Sequence, residues 1–136
     1  MKYKFVEDLT SDVMFEAYGR DLKELFENAA EALSSVIAQT SRLKENVVKD
    51  IMVEGDDVKD LMVNWLQELI ARVDVEGLFF RRFDIQEITE TRLKAKAFGQ
   101  EARPELGETL VKAVTYYKLR VEKAEGGWKA RVALDI

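Results

Sequence analysis

The sequence predicts an α+β domain in which two amphipathic helices pack on a largely antiparallel sheet of about six strands. Three observations support this prediction. Apolar residues recur at helical spacing in two segments, they alternate with polar residues after Gly77, and Gly126-Gly127 is typical of a hairpin turn. In a layered domain, the apolar stripe of each helix is buried against the apolar face of the strands. At 136 residues, we expect one domain covering 1–136.

Both helices are predicted from an apolar stripe and a capping residue. The first covers about 21–38, with Asp21 as N-cap and Glu24 three residues later in a capping-box pattern. The second follows Asp57 and extends to about residue 73. Its apolar stripe contains Trp65, which we interpret as a core residue.

The strands are predicted from period-two alternation. On the segment Val47–Glu54, Lys49 interrupts an otherwise apolar face, and on the longest strand Tyr117 is expected in the inner row with Leu119. Residues 99–108 contain the only proline and form the main predicted loop. The predicted strands are 12–18, 47–54, 78–85, 92–97, 111–121 and 128–134.

The composition excludes several kinds of chemistry. The chain has no cysteine and no histidine, so thiolate nucleophiles, zinc–thiolate sites and histidine bases are excluded. Motifs such as GxGxxG, the P-loop, GxSxG and HExxH are missing, so we expect a protein that is not an enzyme. The net charge of −5 argues against direct, high-affinity binding of nucleic acid. Arg81-Arg82 and the Lys94/Lys96 pair are short basic runs, more typical of a solvated face.

The N-terminal residues and the hydropathy bear on location. The chain becomes acidic at Glu7-Asp8 before any apolar run develops, so no signal peptide is predicted. No stretch approaches 18 apolar residues, so we expect no membrane segment and a cytoplasmic protein.

The C-terminal end of the chain is the most suggestive feature. With Leu134 facing inward, Asp135 points outward beside the α-carboxylate of Ile136. If Asp12 lies on a neighbouring strand, three carboxylates converge and repel unless a hard divalent cation binds them. Oxygen ligands suit Ca, Mg or Mn. The alternative is that Asp135 is simply a solvated terminal residue.

Three further residues are candidates for contact with a partner. Lys112 is expected on the outward row of the long strand, either as an ordinary surface lysine or as a contact to an anion or an acidic patch. Asp74 and Glu76 lie at the exit of the second helix, where carboxylates oppose the helix macrodipole. A functional role explains that arrangement, and so does simple exposure, because the penalty is only ~0.3–1 kcal/mol.

Short segments along nearly the whole chain form a recognisable set. They are LTSDV at 9–13, AYG at 17–19, LFENAA at 25–30, VNWLQEL at 63–69, DVEGL at 74–78, KAVTY at 112–116 and VALDI at 132–136. Together they resemble the archease family, whose N-terminal signature is HTADVG followed by AYG. Two positions depart from the family pattern, because Leu9 and Tyr117 stand where the family commonly has histidine.

The resemblance implies an accessory role. Archeases act with the GTP-dependent tRNA-splicing RNA ligase, promoting its guanylylation and repeated turnover. The family binds a divalent cation, and by position the ligands here are Asp12, Asp135 and the carboxylate of Ile136, while its lysine maps to Lys112. A second hypothesis is a chaperone-like adaptor for RNA-modifying enzymes such as a tRNA methyltransferase. A third, a metal-dependent hydrolase using Asp12 and Asp135, is disfavoured by the missing general base.

Overall fold

The computed structural model describes residues 1–8 and 12–136. Two α-helices and seven strands make up this part of the chain, together with 3₁₀ turns at Thr40–Arg42 and Pro104–Leu106. In chain order the main elements are β1 (Tyr3–Val6), β2 (Val13–Gly19), α1 (Leu22–Ile37), β3 (Val47–Glu54), α2 (Val58–Glu76), β4 (Leu78–Ile88), β5 (Arg92–Glu101), β6 (Ala113–Ala124) and β7 (Gly127–Asp135).

The strands form two antiparallel sheets, which confirms the predicted α+β class. One sheet has four strands in the order β1-β2-β7-β6, and the other has three in the order β3-β5-β4. The seventh strand, absent from the prediction, is β1. The last four strands therefore divide into the hairpins β4-β5 and β6-β7, one in each sheet. The chain changes sheets through the turn at Pro104–Leu106, after which Gly107 bridges to Ala38 at the end of α1.

The helix termini follow the predicted capping pattern. The backbone N–H of Glu24 donates to Asp21 Oδ1 at 2.9 Å, and that of Asp60 donates to Asp57 Oδ1 at 2.8 Å. Helix α2 extends to Glu76, three residues beyond the predicted end at residue 73. It stops there because Gly77 adopts the left-handed conformation, with φ of 64°, that closes a helix C-terminus.

The hydrophobic core lies where the helices meet both sheets. Helix α1 contacts β2 and β4, and α2 contacts β6 and β3, so each helix buries a wide apolar surface. Trp65 is fully buried, donates from Nε1 to the carbonyl oxygen of Phe26 at 3.0 Å, and packs edge-on against Phe83. The prediction that Trp65 belongs to the core is confirmed.

Strand β6 departs from regular alternation. Its pairing with β7 shifts between Thr115 and Arg120, and Lys118 adopts a positive φ of 51°. This irregularity reverses the alternation of side chains, so Tyr117 is 38% exposed and its predicted place in the inner row is wrong. Val114 and Leu119 are buried on either side of the irregular segment.

The helices of the described part of the chain are too short or too polar to cross a bilayer.

Candidate functional site at the end of the four-stranded sheet

The strand register brings Asp12 next to Asp135. Val13 pairs with Leu134 across β2 and β7, so the preceding residue of β2 lies beside the following residue of β7. Leu134 is fully buried, so the Asp135 side chain points to the opposite face, away from the helices. Both aspartates are half-buried, and Ile136 follows at 41% exposure. Two of the three predicted carboxylates therefore occupy neighbouring strand ends, and the third is one residue away.

Lys112 lies at the same end of the sheet. Its backbone N–H donates to the carbonyl oxygen of Asp135 at 2.8 Å, and the next residue, Ala113, pairs with Asp135 in the β6–β7 ladder. Lys112 precedes the strand rather than lying within it, and its side chain is exposed. The side-chain oxygen of Gln67 on α2 accepts a hydrogen bond from the backbone N–H of Val114. Helix α2 thus fixes the start of β6 beside the two aspartates.

The donor chemistry at this end, which we call the acidic tip (Asp12, Asp135 and the carboxylate of Ile136), fits a hard divalent cation. Carboxylate oxygens are the ligands that Ca²⁺, Mg²⁺ and Mn²⁺ prefer. The described residues hold no group of three or more acidic, histidine or cysteine side chains arranged to hold a metal. The two aspartate side chains, with the predicted carboxylate of Ile136, would leave the remaining ligands of such an ion to water.

Glu76 lies apart from the acidic tip. Its carboxylate pairs with Lys49 of β3 at 3.1 Å and with Arg72 of α2 at 3.3 Å. The hydrogen bond from Lys49 is the main reason that the pKa of Glu76 lies below its ordinary value. Lys49, which interrupts the apolar face of β3, thus finds its partner at the end of α2.

Asp74 lies on a groove beside α2. It is exposed and lines a groove of about 310 Å³ with Leu110 and Val111, the two residues that lead to Lys112. Asp74 therefore shares a groove with the residues that precede Lys112 in the chain, while Glu76 is oriented toward the three-stranded sheet.

Tyr117, one of the two positions at which the sequence departs from the pattern it resembles, belongs to a contact that the sequence did not predict. Its hydroxyl donates to Asp8 Oδ1 at 3.1 Å, and Lys118 Nζ lies 3.0 Å from Asp8 Oδ2. The hydrogen bond from Lys118 to Asp8 is the main reason that the pKa of Lys118 lies above its ordinary value. Asp8 follows β1 at one edge of the sheet yet contacts β6 at the other edge. Leu9, the other such position, lies outside the described residues.

A second group that sequence reasoning missed lies on the outer face of the same sheet. Glu16 is only 4% exposed, and its carboxylate is surrounded by Arg131 at 2.8 Å, Lys129 at 3.6 Å and Lys4 at 3.8 Å. Burial alone raises the pKa of Glu16, but hydrogen bonds from Arg131 and Tyr18 and the nearby positive charges bring it below its ordinary value. Period-two alternation marks Glu16, Lys129 and Arg131 as outward-facing, but it does not indicate which strands are neighbours.

The basic runs visible in the sequence are largely paired in the structure. Arg82 Nε lies 3.0 Å from Glu45 and its guanidinium stacks 3.8 Å above the ring of Phe98. Lys96 pairs with Asp50 at 2.8 Å. These residues form mixed-charge rows, in keeping with the solvated face that the sequence favoured.

Comparison with known proteins identifies the family of this chain. Residues 3–136 match the model of the "Archease protein family (MTH1598/TM1083)". The chain belongs to the archease family. The match includes both strands that carry the acidic tip and the segment that contains Lys112.

Relatives cover nearly the whole chain. Protein archease of Methanosarcina mazei is 40% identical over 141 residues, covering 99% of this chain and 96% of that protein. Protein archease of Pyrococcus abyssi is 41% identical, covering 93% and 94% of the two chains.

Solved structures share the fold. The solution structure of protein 1598 of Methanobacterium thermoautotrophicum aligns with a TM-score of 0.84 and 33% identity over 98% of both chains. An archease from Thermotoga maritima, described as a possible chaperone, aligns with a TM-score of 0.68 over 96% of this chain and 95% of that one. At 20% identity the latter establishes the fold only.

Proposed function

We propose that this archease is a cytoplasmic accessory protein, not an enzyme, that activates a GTP-dependent tRNA-splicing RNA ligase by promoting its guanylylation and multiple turnover. The observation that carries the proposal is the adjacency of Asp12 and Asp135 at one end of the four-stranded sheet, with Lys112 bonded to the same residue of β7. These are the positions at which the chain resembles the family motifs. Contact with RNA is then made by the ligase.

The arrangement suits a rigid protein that presents charge to a partner. The acidic tip projects from strand ends held by the β2–β7 ladder and by Gln67 of α2. Asp12, Asp135 and the carboxylate of Ile136 would hold a divalent cation, Ca or Mg and by the same chemistry Mn. When bound, such a cation supplies positive charge that stabilises phosphate oxygens in a partner's active site.

The exposed residues beside the acidic tip have a different role in this proposal. Lys112 is exposed and its backbone is fixed, so its ammonium is available to an acidic patch or a phosphate of the ligase. Asp74, on the groove that Leu110 and Val111 also line, offers the opposite charge to the same partner. Glu76 is held by Lys49 and Arg72, so we assign it to the stability of α2 rather than to the ligase contact.

The first test is single-turnover guanylylation of the cognate ligase with GTP, with and without this protein. We expect a large rate increase that Asp12→Asn and Asp135→Asn each reduce at least tenfold, because both carboxylates contribute to one site. Glu87→Gln is the matched control, since it removes an exposed carboxylate from the other sheet. Titration with Ca²⁺, Mg²⁺ and Mn²⁺ by calorimetry reports cation binding independently of the ligase.

The outcomes separate the parts of the proposal. An unchanged guanylylation rate with folded, wild-type protein that binds the ligase refutes the activator function. A rate increase that survives both aspartate substitutions refutes the role of the acidic tip and leaves activation to another surface. Loss of cation binding together with loss of activation supports the whole proposal.

A chaperone-like adaptor for RNA-modifying enzymes, such as a tRNA methyltransferase, is the second candidate. It is favoured by the description of the T. maritima structure as a possible chaperone. This function requires a stable complex and reduced aggregation of the client, measured by light scattering on heating, without any effect on guanylylation. The same Asp135→Asn variant distinguishes the two, because an adaptor that binds through another surface tolerates it.

A further inference from the structure

A small cleft opens on the outer face of the four-stranded sheet. Arg120, Glu122, Lys129 and Arg131 line a volume of about 270 Å³ between β6 and β7. The alternate residues of β7, Ala130 and Val132, are fully buried against the core, so the cleft faces away from the helices. Its lining comes from the two strands of one hairpin.

The cleft and its surroundings carry excess positive charge. In the described part of the chain, the cations that line the cleft or pair with Glu16 are Lys4, Arg120, Lys129 and Arg131, and the carboxylates beside them are those of Glu16 and Glu122. Glu16 already receives the hydrogen bonds of Arg131 and Tyr18 and the charge of Lys129. Among these six residues two positive charges are therefore uncompensated, in a protein whose net charge is −5.

The position of Arg120 is not explained by an ion pair with another described residue. It pairs directly with Arg131 in the β6–β7 ladder, and like charges at directly opposite positions destabilise a sheet. Within residues 1–8 and 12–136, its guanidinium forms no hydrogen bond and no ion pair. Arg131 uses Nε and Nη2 on Glu16. Its Nη1 group and the whole Arg120 guanidinium are thus available donors beside one cavity.

We propose that this cleft binds a phosphate group. The guanidinium fork of Arg120, the Nη1 group of Arg131 and the ammonium of Lys129 converge there. An arginine fork recognises phosphate oxygens with paired, charge-assisted hydrogen bonds. A phosphate monoester carries about −1.5 to −2 charge at pH 7, which matches the two uncompensated cations, whereas a carboxylate neutralises only one. The proposal rests on the outer face alone and is independent of the proposed ligase activation. The phosphate belongs either to a small phosphorylated molecule or to the end of an RNA strand.

Binding of inorganic pyrophosphate, followed by calorimetry at low ionic strength, tests the cleft directly. We expect Arg120→Gln to weaken binding about tenfold, the loss of one charge-assisted contact. Arg120 has no partner among the described residues, so its substitution leaves the hydrogen bonds of Glu16 intact. Arg103→Gln is the matched control, because it removes an exposed arginine from the loop between the two sheets. It should leave the dissociation constant unchanged within twofold.

Two RNA arms identify the source of the phosphate. A short single-stranded RNA with a 5′-phosphate that competes with pyrophosphate, while its unphosphorylated twin does not, supports the cleft as a site for an RNA end. Pyrophosphate binding without competition by either RNA supports a small phosphorylated ligand. Three results overturn the proposal. They are absence of pyrophosphate binding, equal weakening of that binding by Arg120→Gln and Arg103→Gln, and acetate that competes with pyrophosphate as well as phosphate does.

Discussion

Replacing Glu16 by glutamine removes the negative charge that pairs with Lys4, Lys129 and Arg131 on the outer face of the four-stranded sheet. The side chain is 4% exposed and accepts two hydrogen bonds from Arg131, at 2.8 and 3.1 Å, and one from Tyr18 at 3.0 Å. Breaking a buried ion pair costs about 3–5 kcal/mol, and breaking an exposed pair less than about 1 kcal/mol. Arg131 and Lys129 are 31% and 36% exposed, so Glu16→Gln should lower the free energy of unfolding by about 2 kcal/mol at pH 7.

The pH dependence of this loss follows from the pKa of Glu16, which lies below its ordinary value of 4.5 in the folded protein. A carboxyl group with a lowered pKa stabilises the fold above its unfolded pKa, and that contribution disappears as the pH falls through the folded pKa. The difference between wild type and Glu16→Gln should therefore be complete at pH 7 and shrink below about pH 4.

Chemical denaturation followed by tryptophan fluorescence measures this difference, because Trp65 is fully buried in the folded protein. Glu122→Gln is the matched control, since Glu122 lies on the same face and is exposed, and it should change the free energy of unfolding by less than about 0.5 kcal/mol. A double-mutant cycle with Arg131→Gln isolates the pair. A loss below 0.5 kcal/mol for Glu16→Gln, or a loss that persists unchanged at low pH, refutes the reasoning.

Two other substitutions test the packing of the three-stranded sheet and of α1. Gly99→Ala should cost about 3 kcal/mol, because the added Cβ overlaps the backbone of Phe79; a melting temperature equal to that of wild type contradicts this. Glu27→Gln should stabilise the protein by less than about 1 kcal/mol at pH 7, because burial raises the pKa of Glu27 and its ionised form is unfavourable. The glutamine still accepts the N–H of Ile85, and its advantage in denaturation experiments should vanish at low pH, where the Glu27 carboxyl is protonated.

The helices were predictable because their determinants are local. Asp21 and Asp57 cap the backbone three residues later, so the start of each helix is encoded next to it. The end of α2 was predicted three residues too early, because the apolar stripe stops near residue 73 whereas Gly77 closes the helix. Strand β1 has only four residues and its pairing with β2 is what defines it, so no local pattern marked it. The break between β5 and β6 is likewise a matter of tertiary pairing, which alternation does not report.

The part of the candidate site that depends on the alternation of side chains along a strand was predictable. Leu134 inward and Asp135 outward followed from alternation, and the pairing of β2 with β7 then brought Asp12 alongside. The cleft on the outer face was not predictable, because its cations are distant in sequence and converge only through the order β1-β2-β7-β6. Tyr117 was misplaced because the positive φ of Lys118 interrupts a pattern that otherwise reads as regular.

The acidic tip and the basic cleft share one face of one sheet, which has a consequence for any partner. Asp135 and Arg131 have the same parity on β7 and are four residues apart, about 14 Å along the strand. Ala133 lies between them and is fully buried, so the two charged groups are separated by covered surface. At this distance the effects of substitutions are usually additive. A ligand bound only at the cleft should therefore lose affinity with Arg120→Gln and not with Asp135→Asn. A partner that spans the face should lose affinity with both substitutions. Each substitution should then weaken its binding by the same factor whether or not the other is present.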